Sequence, residues 1–379
     1  MVDRQIKRFL YQNLVDSLEP NKVLVVYGPR RVGKTTILNE IAKTFEESKV
    51  KFVDGEDREI QEALSTKTIM GAKNFIGDTE ILIIDEAQKI PSIGINLKLI
   101  VDHIPNIKII ASGSASFDLA QRIGEPLVGR KKTHHLFPLS IRELIKEYGY
   151  EHNKNLMNRL MIFGGYPEVF HLSTDEAIEY LKETVQSYLF RDILEMEQLR
   201  NAKKLRDLLT LLAFQIGNEV SLSELGGQLG MHANTVYRYL DILEQSFIIV
   251  NVRGFSRNLR KEVTKTSRYY FYDNGIRNAL IGNFNELNLR NDAGQLWENF
   301  LVMERMKKQH YEHIYANNYF WRTYDQQEID WVEEREGKLF GYEIKWKTKK
   351  SKPPSSWLDS YPDAEYRCIT SENYLEEFV

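Results

Sequence analysis

A glycine-containing loop near the amino terminus carries the residue types that bind phosphate. Gly28 and Gly33 enclose four residues, and Lys34 and Thr35 follow directly. Glycines let the backbone curl so that its N–H groups face phosphate oxygens, and a helix that begins at the lysine adds the positive end of its dipole. Lys34 can then contact the phosphates, and the Thr35 hydroxyl can ligate Mg²⁺. The predicted binding segment comprises Gly28, Pro29, Arg30, Arg31, Val32, Gly33, Lys34, Thr35 and Thr36.

Two adjacent carboxylates follow an apolar run about 50 residues beyond the lysine. Asp85 and Glu86 come directly after residues 81–84, which predict a buried strand. Asp85 suits the coordination of Mg²⁺, and Glu86 suits the activation of an attacking water. The alternative is that both acids only cap the next helix. Because capping does not require two acids after a buried strand, we expect a site that binds and hydrolyses Mg·ATP, with Lys34 and Glu86 in catalytic roles.

A third set of charged residues lies on predicted strands near the carboxyl terminus. Asp330 is on one strand, and Glu343 and Lys345 are two residues apart on the next, so the latter two share a face. Two carboxylates beside a lysine can hold Mg²⁺ or Mn²⁺ and orient a water molecule. Glu298, on the preceding predicted helix, is a further acid for this site. The alternative is a catalytically silent ion-pair cluster.

The elements around these groups predict several domains. The first part alternates β-branched strands with helices, which indicates a parallel sheet with helices on both faces. Long helical patterns follow, then two short helices with strands, and finally a helix followed by three strands. The predicted boundaries are 1–136, 137–215, 216–285 and 286–379.

Residues 221–243 predict a helix-turn-helix. Val236, Leu240, Leu243 and Phe247 recur at helical spacing and should form its buried face, whereas Arg238 points outward. A basic stretch follows, which suits a wing that contacts the phosphates of double-stranded DNA. Its cations are Arg253, Arg257, Arg260, Lys261, Lys265 and Arg268. The alternative is a surface that docks a protein partner.

The first 136 residues resemble the archaeal and bacterial AAA-type P-loop ATPases. The resemblance extends to the segments 109–114, 127–130 and 137–140, in which a polar strand end, Leu-x-Gly-Arg and Pro-Leu-Ser match that family. It implies that Ser112 or Ser114 senses the γ-phosphate and that Arg130 is an arginine finger or sensor, acting within the chain or on a neighbouring copy. A plain surface arginine is the alternative for Arg130.

The resemblance continues beyond the ATPase core. Residues 164–168 and 189–193 are similar to the helical lid of that family, residues 271–275 to the strand that closes its winged helix, and the acids of the last segment to restriction-endonuclease-like nucleases. The implied fold is an α/β P-loop NTPase domain followed by a helical lid, a winged helix and a small α/β restriction-endonuclease-like domain.

Composition limits the remaining classes of function. The 379 residues carry a net charge of −3, which argues against a polybasic protein, and the one cysteine excludes a multi-cysteine zinc site. No apolar run approaches the length of a membrane span, so we expect a cytoplasmic protein without membrane contact. An oligomer is possible.

The expected function is that of an ATP-hydrolysing molecular switch associated with DNA. Two alternatives remain from the sequence: a metal-dependent DNA nuclease that ATP regulates, and a protein-interaction switch whose winged helix docks a partner. Mg²⁺ is expected with ATP, and Mg²⁺ or Mn²⁺ at the carboxyl-terminal site.

Overall fold

The computed structural model describes residues 5–114, 127–189, 202–256, 266–323, 325–347 and 351–379. The chain divides into two compact units. The first unit comprises Met1–Leu139 with Gln245–Phe247, and the second comprises Ser140–Glu244 with Ile248–Val379. No helix within the described ranges is long and apolar enough to cross a membrane.

A five-stranded parallel sheet with flanking helices forms the first unit. Its strands are β1 (Val23–Tyr27), β2 (Val50–Asp54), β3 (Ile81–Asp85), β4 (Lys108–Gly113) and β5 (Lys131–His135). They pair in the order β2-β3-β4-β1-β5, and every pair is parallel. All residues of β1 and β3 are buried, which explains why residues 23–27 and 81–84 form apolar runs rather than alternating with polar residues. This is the P-loop NTPase fold, and it confirms the predicted fold class.

The helices of the first unit connect these strands. They are α1 (Leu10–Ser17), α2 (Lys34–Ala42), α3 (Arg58–Ala63), α4 (Ile69–Ile76) and α5 (Ile93–His103). The sequence predicts α2 as far as about residue 47, whereas the helix ends at Ala42. The sequence patterns do not predict α1 or β5. Because the carboxyl ends of β1, β3 and β4 lie at one edge of the sheet, this edge carries the candidate site.

The second unit begins with helices and ends with a mixed sheet. Its helices are α6 (Ile141–Tyr148), α7 (Asn153–Phe163), α8 (Thr174–Glu183), α9 (Ala202–Phe214), α10 (Leu222–Leu229), α11 (Ala233–Gln245), α12 (Asn274–Ile281), α13 (Ala293–Tyr311), α14 (Ser355–Ser360) and α15 (Tyr374–Glu377). A π-helical segment, Thr184–Leu189, follows α8.

Seven strands of the second unit form one sheet. They are β6 (Glu219–Val220), β7 (Ile249–Gly254), β8 (Ser267–Phe271), β9 (Asn317–Arg322), β10 (Glu328–Arg335), β11 (Lys338–Ile344) and β12 (Glu365–Ile369), in the order β12-β11-β10-β9-β7-β8-β6. Arg253 of β7 pairs in parallel with Tyr319 of β9. The strands that we predicted in residues 216–285 and 286–379 therefore share a sheet, and the division of the chain into four domains stays a prediction.

The predicted helix-turn-helix corresponds to α10 and α11. Val236, Leu240 and Leu243 are buried, as their spacing predicts. Phe247 is also buried, but α11 ends at Gln245 and Phe247 has a positive φ of 57°, so it does not continue the helical face. Whether the segment forms a winged helix stays a prediction.

The Gly-Gly turn after α7 and the Asp-Asn-Gly segment before α12 fit directly against each other. Buried Asp273 accepts hydrogen bonds from the Gly165 amide at 2.6 Å and the Ile276 amide at 3.1 Å. Gly164 has a φ of 75°, and a Cβ there would overlap the Asp273 carboxylate. A Cβ on Gly275 would overlap the Phe163 carbonyl. Gly164 and Gly275 are thus required by this junction.

Replacing Gly164 with alanine tests the junction. Gly164→Ala should lower the free energy of unfolding of the second unit by at least about 2 kcal/mol, because a Cβ adds backbone strain and a clash with Asp273. All five tryptophans follow residue 296, so tryptophan fluorescence in urea reports this unit alone. Gly227→Ala is the matched control: Gly227 lies exposed in α10 with open space around it, and alanine should stabilise by about 0.5–1 kcal/mol. Equal stabilities for the two variants would contradict the proposed junction.

Candidate functional site

The loop between β1 and α2 follows a path that glycine makes possible. A Cβ on Gly28 would overlap the Leu136 carbonyl, and Gly33 adopts a φ of 94° directly before α2. Val32 is fully buried between them, whereas Thr36 is exposed. The loop therefore ends on a helix amino terminus with its amide dipoles aligned, which is the arrangement that binds phosphate.

The Lys34 ammonium is buried at the start of α2. Its Nζ donates hydrogen bonds of 2.9 Å to the carbonyls of Gly28 and Pro29. Burial lowers the pKa of Lys34 to about 8, while the negative charges of Glu86 and Asp85 oppose this shift. The side chain is therefore held inside the loop, and a bound phosphate would favour its charged form.

The Asp85 carboxylate lies between two hydroxyl groups. Thr35 Oγ1 donates to Asp85 Oδ2 at 2.5 Å, and Ser112 Oγ donates to Asp85 Oδ1. Asp85 and Ser112 are buried at the ends of β3 and β4. Thr35 Oγ1 and Asp85 Oδ2 are hard oxygen donors at one point, so this pair fits Mg²⁺. The structure thus brings together Lys34, Thr35, Asp85 and Ser112.

Glu86 projects beside this group from a left-handed backbone position, with a φ of 47°. Gly55 makes the turn possible, since its amide donates to the Asp85 carbonyl at 2.8 Å and a Cβ there would overlap the Glu86 carbonyl. Gln88 Nε2 donates to Glu86 Oε2, and Ser114 Oγ donates to the same oxygen at 3.3 Å. The Glu86 carboxylate is therefore oriented by two neighbours.

Two further residues support the site and were not predicted. Arg8 is buried and donates to the carbonyls of Val32 at 2.7 Å and Phe137 at 2.5 Å, so it connects the phosphate-binding loop to the segment after β5. Gln88 orients Glu86. A Gln two residues after the acid was a weak signal for the second role, but nothing in the sequence pointed to Arg8.

Not every predicted residue reaches this edge of the sheet. Arg30 and Arg31 are half-buried within the loop. Arg130 directly precedes β5, whose other end, His135, pairs with Tyr27 beside the loop, so Arg130 lies roughly 16 Å from that end at ~3.3 Å per residue. Its guanidinium contacts Asp102 at 2.6 Å. The structure does not bring Arg130 to the Lys34 site of the same chain.

In the second unit, the carboxyl-terminal acids surround an arginine. Arg268 of β8 contacts Glu298 at 3.5 Å, Glu328 at 2.8 Å and Asp330 at 3.4 Å. It is only 4% exposed, so our assignment of Arg268 to a DNA-contacting wing is wrong. Arg253 is exposed. The remaining wing cations lie outside the described residues: Arg257, Arg260, Lys261 and Lys265.

Glu343 and Lys345 complete this acidic cluster. Trp331 pairs with Tyr342, so Glu343 stands opposite Asp330, and Lys345 contacts Glu343 Oε1 at 2.5 Å. Within the described residues, the buried Glu343 Oε2 has no hydrogen-bond partner. Among those same residues, no three His, Cys, Asp or Glu side chains are grouped so that they could hold a metal ion. The divalent-metal site at Asp330 and Glu343 stays a prediction.

The cluster contains more negative than positive groups. Burial raises the pKa of Glu298 to about 8, and the Asp330 charge adds to this shift. Burial and Asp330 likewise raise the pKa of Glu343 to about 7. Four carboxylates share two cations, Arg268 and Lys345, and this excess of negative charge favours the protonated forms of Glu298 and Glu343.

Three family models match this chain, and the one that covers most of the first unit has a described fold type. Residues 20–145 match a family described as AAA domain. This match supports an AAA-type P-loop ATPase domain. Residues 154–287 match a domain of unknown function, DUF8612, and residues 293–374 match another, DUF4143. Neither description confirms a winged helix or a nuclease-like fold.

Two uncharacterized proteins are similar to this chain over most of its length, at low identity. The chain is 28% identical to the uncharacterized protein Rv2008c of Mycobacterium tuberculosis over 85% of its own length and 70% of that protein. It is 27% identical to the uncharacterized protein MJ1544 of Methanocaldococcus jannaschii, over 83% and 73% of the two chains.

Solved structures give weaker likenesses. AMPPCP-bound DnaA from Aquifex aeolicus is 17% identical with a TM-score of 0.31, over 62% of this chain and 84% of that one. NtrX from Brucella abortus is 14% identical with a TM-score of 0.26, over 62% and 66%. Backbones that superpose this poorly do not establish a shared function.

The lowered pKa of Lys34 predicts proton uptake on binding of Mg·ATP. At pH 8.5 a lysine with a pKa of about 8 is largely neutral, and phosphate contact restores its proton. Calorimetry in two buffers of different ionisation enthalpy should therefore give an uptake of roughly half a proton or more per ATP. Lys34→Arg is the matched control, because its guanidinium is charged at every such pH and should bind without uptake. Buffer-independent heats for the wild-type protein would contradict the prediction.

Proposed function

We propose that the first unit binds Mg·ATP and hydrolyses it, and that the protein acts as a nucleotide-driven switch. The observation that carries the proposal is the convergence of Lys34, Thr35, Asp85 and Glu86 at one edge of the parallel sheet. Phosphate binding, Mg²⁺ ligation and water activation are the three requirements of ATP hydrolysis, and these four side chains match them.

Each residue has a distinct part in the proposed reaction. The loop amides and Lys34 hold the β- and γ-phosphates after Lys34 releases the carbonyls of Gly28 and Pro29. Thr35 and Asp85 would hold Mg²⁺, which neutralises charge that develops on the phosphates. Glu86 accepts a proton from the attacking water, in an orientation that Gln88 and Ser114 maintain.

Ser112 and Arg130 have less direct parts. Ser112 joins Asp85 to the Glu86 amide, which donates to its Oγ at 3.3 Å, so a change at the γ-phosphate can pass to the end of β4. Arg130 lies at the amino-terminal ends of the strands, opposite the carboxyl ends that carry the Lys34 site. A role for Arg130 at a triphosphate therefore requires a second copy of the chain, which is consistent with an oligomer.

The second unit is the proposed output of the switch. Arg238 on α11 and Arg253 on β7 are exposed, which supports contact with double-stranded DNA through this segment. The buried pairing of Arg268 removes one of the expected phosphate contacts. Docking of a protein partner on the same segment is the alternative.

Two substitutions test the catalytic assignment. Lys34→Ala should abolish ATP binding, because it removes the charge that contacts the phosphates. Glu86→Gln should retain binding and lower kcat by about 10²-fold or more, because it removes the general base. Glu62→Gln, on exposed α3, is the matched control and should hydrolyse ATP like the wild type. An unchanged rate in Glu86→Gln would exclude Glu86 as the base, and wild-type protein that fails to bind ATP would overturn the whole proposal.

The same assay distinguishes the two outputs. Adding duplex DNA should change the rate of ATP hydrolysis if DNA is the partner, and Arg238→Ala with Arg253→Ala should remove that change. A rate that is insensitive to duplex DNA favours the protein-docking alternative.

The geometry supports an ion-pair role for the acidic cluster over DNA cleavage. Arg268 lies among Glu298, Glu328 and Asp330, so its guanidinium already contacts Asp330, one of the two predicted metal ligands. A metal-dependent nuclease, regulated by ATP, therefore requires that Asp330 exchange its contact with Arg268 for one with the metal. We infer that the cluster joins β8 to α13 and β10 through Arg268.

The raised pKa values predict how the cluster responds to pH. Between pH about 5 and 8, the folded protein retains protons on Glu298 and Glu343 that the unfolded chain releases, so the free energy of unfolding of the second unit should fall as pH rises. Urea unfolding followed by tryptophan fluorescence measures this slope. Glu298→Gln should flatten it, whereas Glu334→Gln, an exposed residue of β10, should not.

Mn²⁺ added at pH 8 separates the two explanations of the cluster. An unchanged unfolding midpoint supports the ion-pair role. Stabilisation that Asp330→Ala abolishes, together with nicking of plasmid DNA that Lys345→Ala abolishes, would instead establish the nuclease alternative.

A further inference from the structure

An open groove of about 1240 Å³ lies in the second unit, and Arg268 is not among its lining residues. It is bordered by α7, by the segment before α13 and by the chain that follows β11. Its lining includes Asn153, Lys154, Asn158, Arg290, Trp346 and Lys347. Its volume exceeds the several hundred cubic ångströms typical of a small-molecule site, so an extended ligand fits it better.

One wall of the groove is a supported aromatic ring. Trp346 is half-buried, and its ring centroid lies 5.3 Å from that of Trp297, which is fully buried. Trp297 packs in turn against Phe300 at 5.6 Å and Tyr374 at 5.2 Å. The indole of Trp346 is therefore held in place before any ligand binds, which reduces the entropy cost of stacking a flat ring on it.

The charge of the groove is positive although the chain as a whole is negative. Its lining includes three cations, Lys154, Arg290 and Lys347, and one acid, Glu286. Behind it, Asp292 lies between Arg277 at 2.5 Å and Arg290 at 2.8 Å. Burial opposes the shift, but hydrogen bonds from both arginines lower the pKa of Asp292 to about 2. Both guanidinium groups are buried in these contacts, so the cations that a ligand in the groove can reach are the exposed Lys154 and Lys347.

Carboxamides supply the remaining polar lining. Four asparagines border the groove, among them Asn153 and Asn158 on α7. The Tyr374 hydroxyl donates to Asn153 Oδ1 at 2.6 Å and so fixes the orientation of this amide. Asparagine presents a donor and an acceptor side by side, which is the pattern that the edge of an unpaired base can meet.

We propose that this groove binds single-stranded nucleic acid, with a base stacked on Trp346 and phosphates beside Lys154 and Lys347. A flat aromatic platform between cations is the arrangement by which proteins bind single strands without strict sequence preference. A duplex cannot use the platform, because its bases are already stacked on one another. The site is separate from the Lys34 site and from α11, so it does not depend on the proposed ATPase activity.

Fluorescence anisotropy with a labelled oligo-dT strand tests the proposal on the full chain. Trp346→Leu should weaken binding by about tenfold or more, whereas Trp346→Phe retains a ring and should bind within about threefold of the wild type. Lys154→Ala with Lys347→Ala should weaken binding and make it less steeply dependent on salt, with a slope reduced by about 1.4. Two exposed residues outside the groove provide controls, Tyr315→Leu and Lys338→Ala, and should leave the affinity unchanged.

Three competitors complete the experiment: unlabelled oligo-dT, a duplex of equal length and a polyglutamate peptide. Displacement by the single strand at far lower concentrations than by the other two supports the proposal. Equal displacement by polyglutamate, with Trp346→Leu binding as tightly as the wild type, would show a site for acidic peptides and overturn it. Equal or better displacement by the duplex would overturn it as well. Unfolding in urea identifies any variant that fails to fold. If Trp346→Leu does not fold, the variant with Lys154→Ala and Lys347→Ala, whose side chains are exposed, tests the proposal.

Discussion

The carboxylate of Asp85 is the interaction on which the site of the first unit depends. It accepts hydrogen bonds from Thr35, at the start of α2, and from Ser112, at the end of β4. Because β4 lies between β3 and β1 in a parallel sheet, the chain brings these three segments together at one edge although they are far apart in sequence. A buried carboxylate without such partners would be costly, so the contacts that orient the Asp85 carboxylate also make its burial tolerable. Glu86 takes its position from this arrangement, since its amide donates to both Asp85 and Ser112.

Buried charge also organises the second unit, but there the central group is a cation, Arg268, surrounded by acids. Arg268 satisfies acids from α13 and β10, and Arg305 of α13 contacts Glu333 of β10 at 2.5 Å. An unpaired charge inside a protein is strongly destabilising, so each of these residues constrains its partner's element. The consequence for function is that a buried cation that is paired with an internal acid cannot contact phosphate. Arg253 and the groove lysines are exposed, and the candidate surfaces for nucleic acid are therefore fewer than the count of basic residues suggests.

Much of the fold was predictable because local patterns determine it. Apolar runs such as residues 81–84 identified the buried strands, and the spacing of Val236, Leu240 and Leu243 identified the buried face of α11. The boundaries differed by a few residues where the chain turns, as at Phe247. The strand β5, whose residues are mostly polar, was missed because its place at the sheet edge leaves it partly exposed. The pairing of β7 with β9 was also beyond prediction, since no local pattern specifies which strands from separate segments become neighbours.

The sequence by itself determined the glycine-containing loop and the acids of the candidate ATPase site. Glycine spacing, Lys34 and the two carboxylates after an apolar strand restrict the backbone and the chemistry locally, so they can be recognised without a structure. Only the tertiary structure decided which partners these groups meet. It placed Arg8 against the loop, Gln88 beside Glu86, Arg130 at the far end of β5 and Arg268 among the carboxyl-terminal acids. The physical reason is that hydrogen bonds and ion pairs act over a few ångströms, and those distances depend on how distant segments pack rather than on the order of residues along the chain.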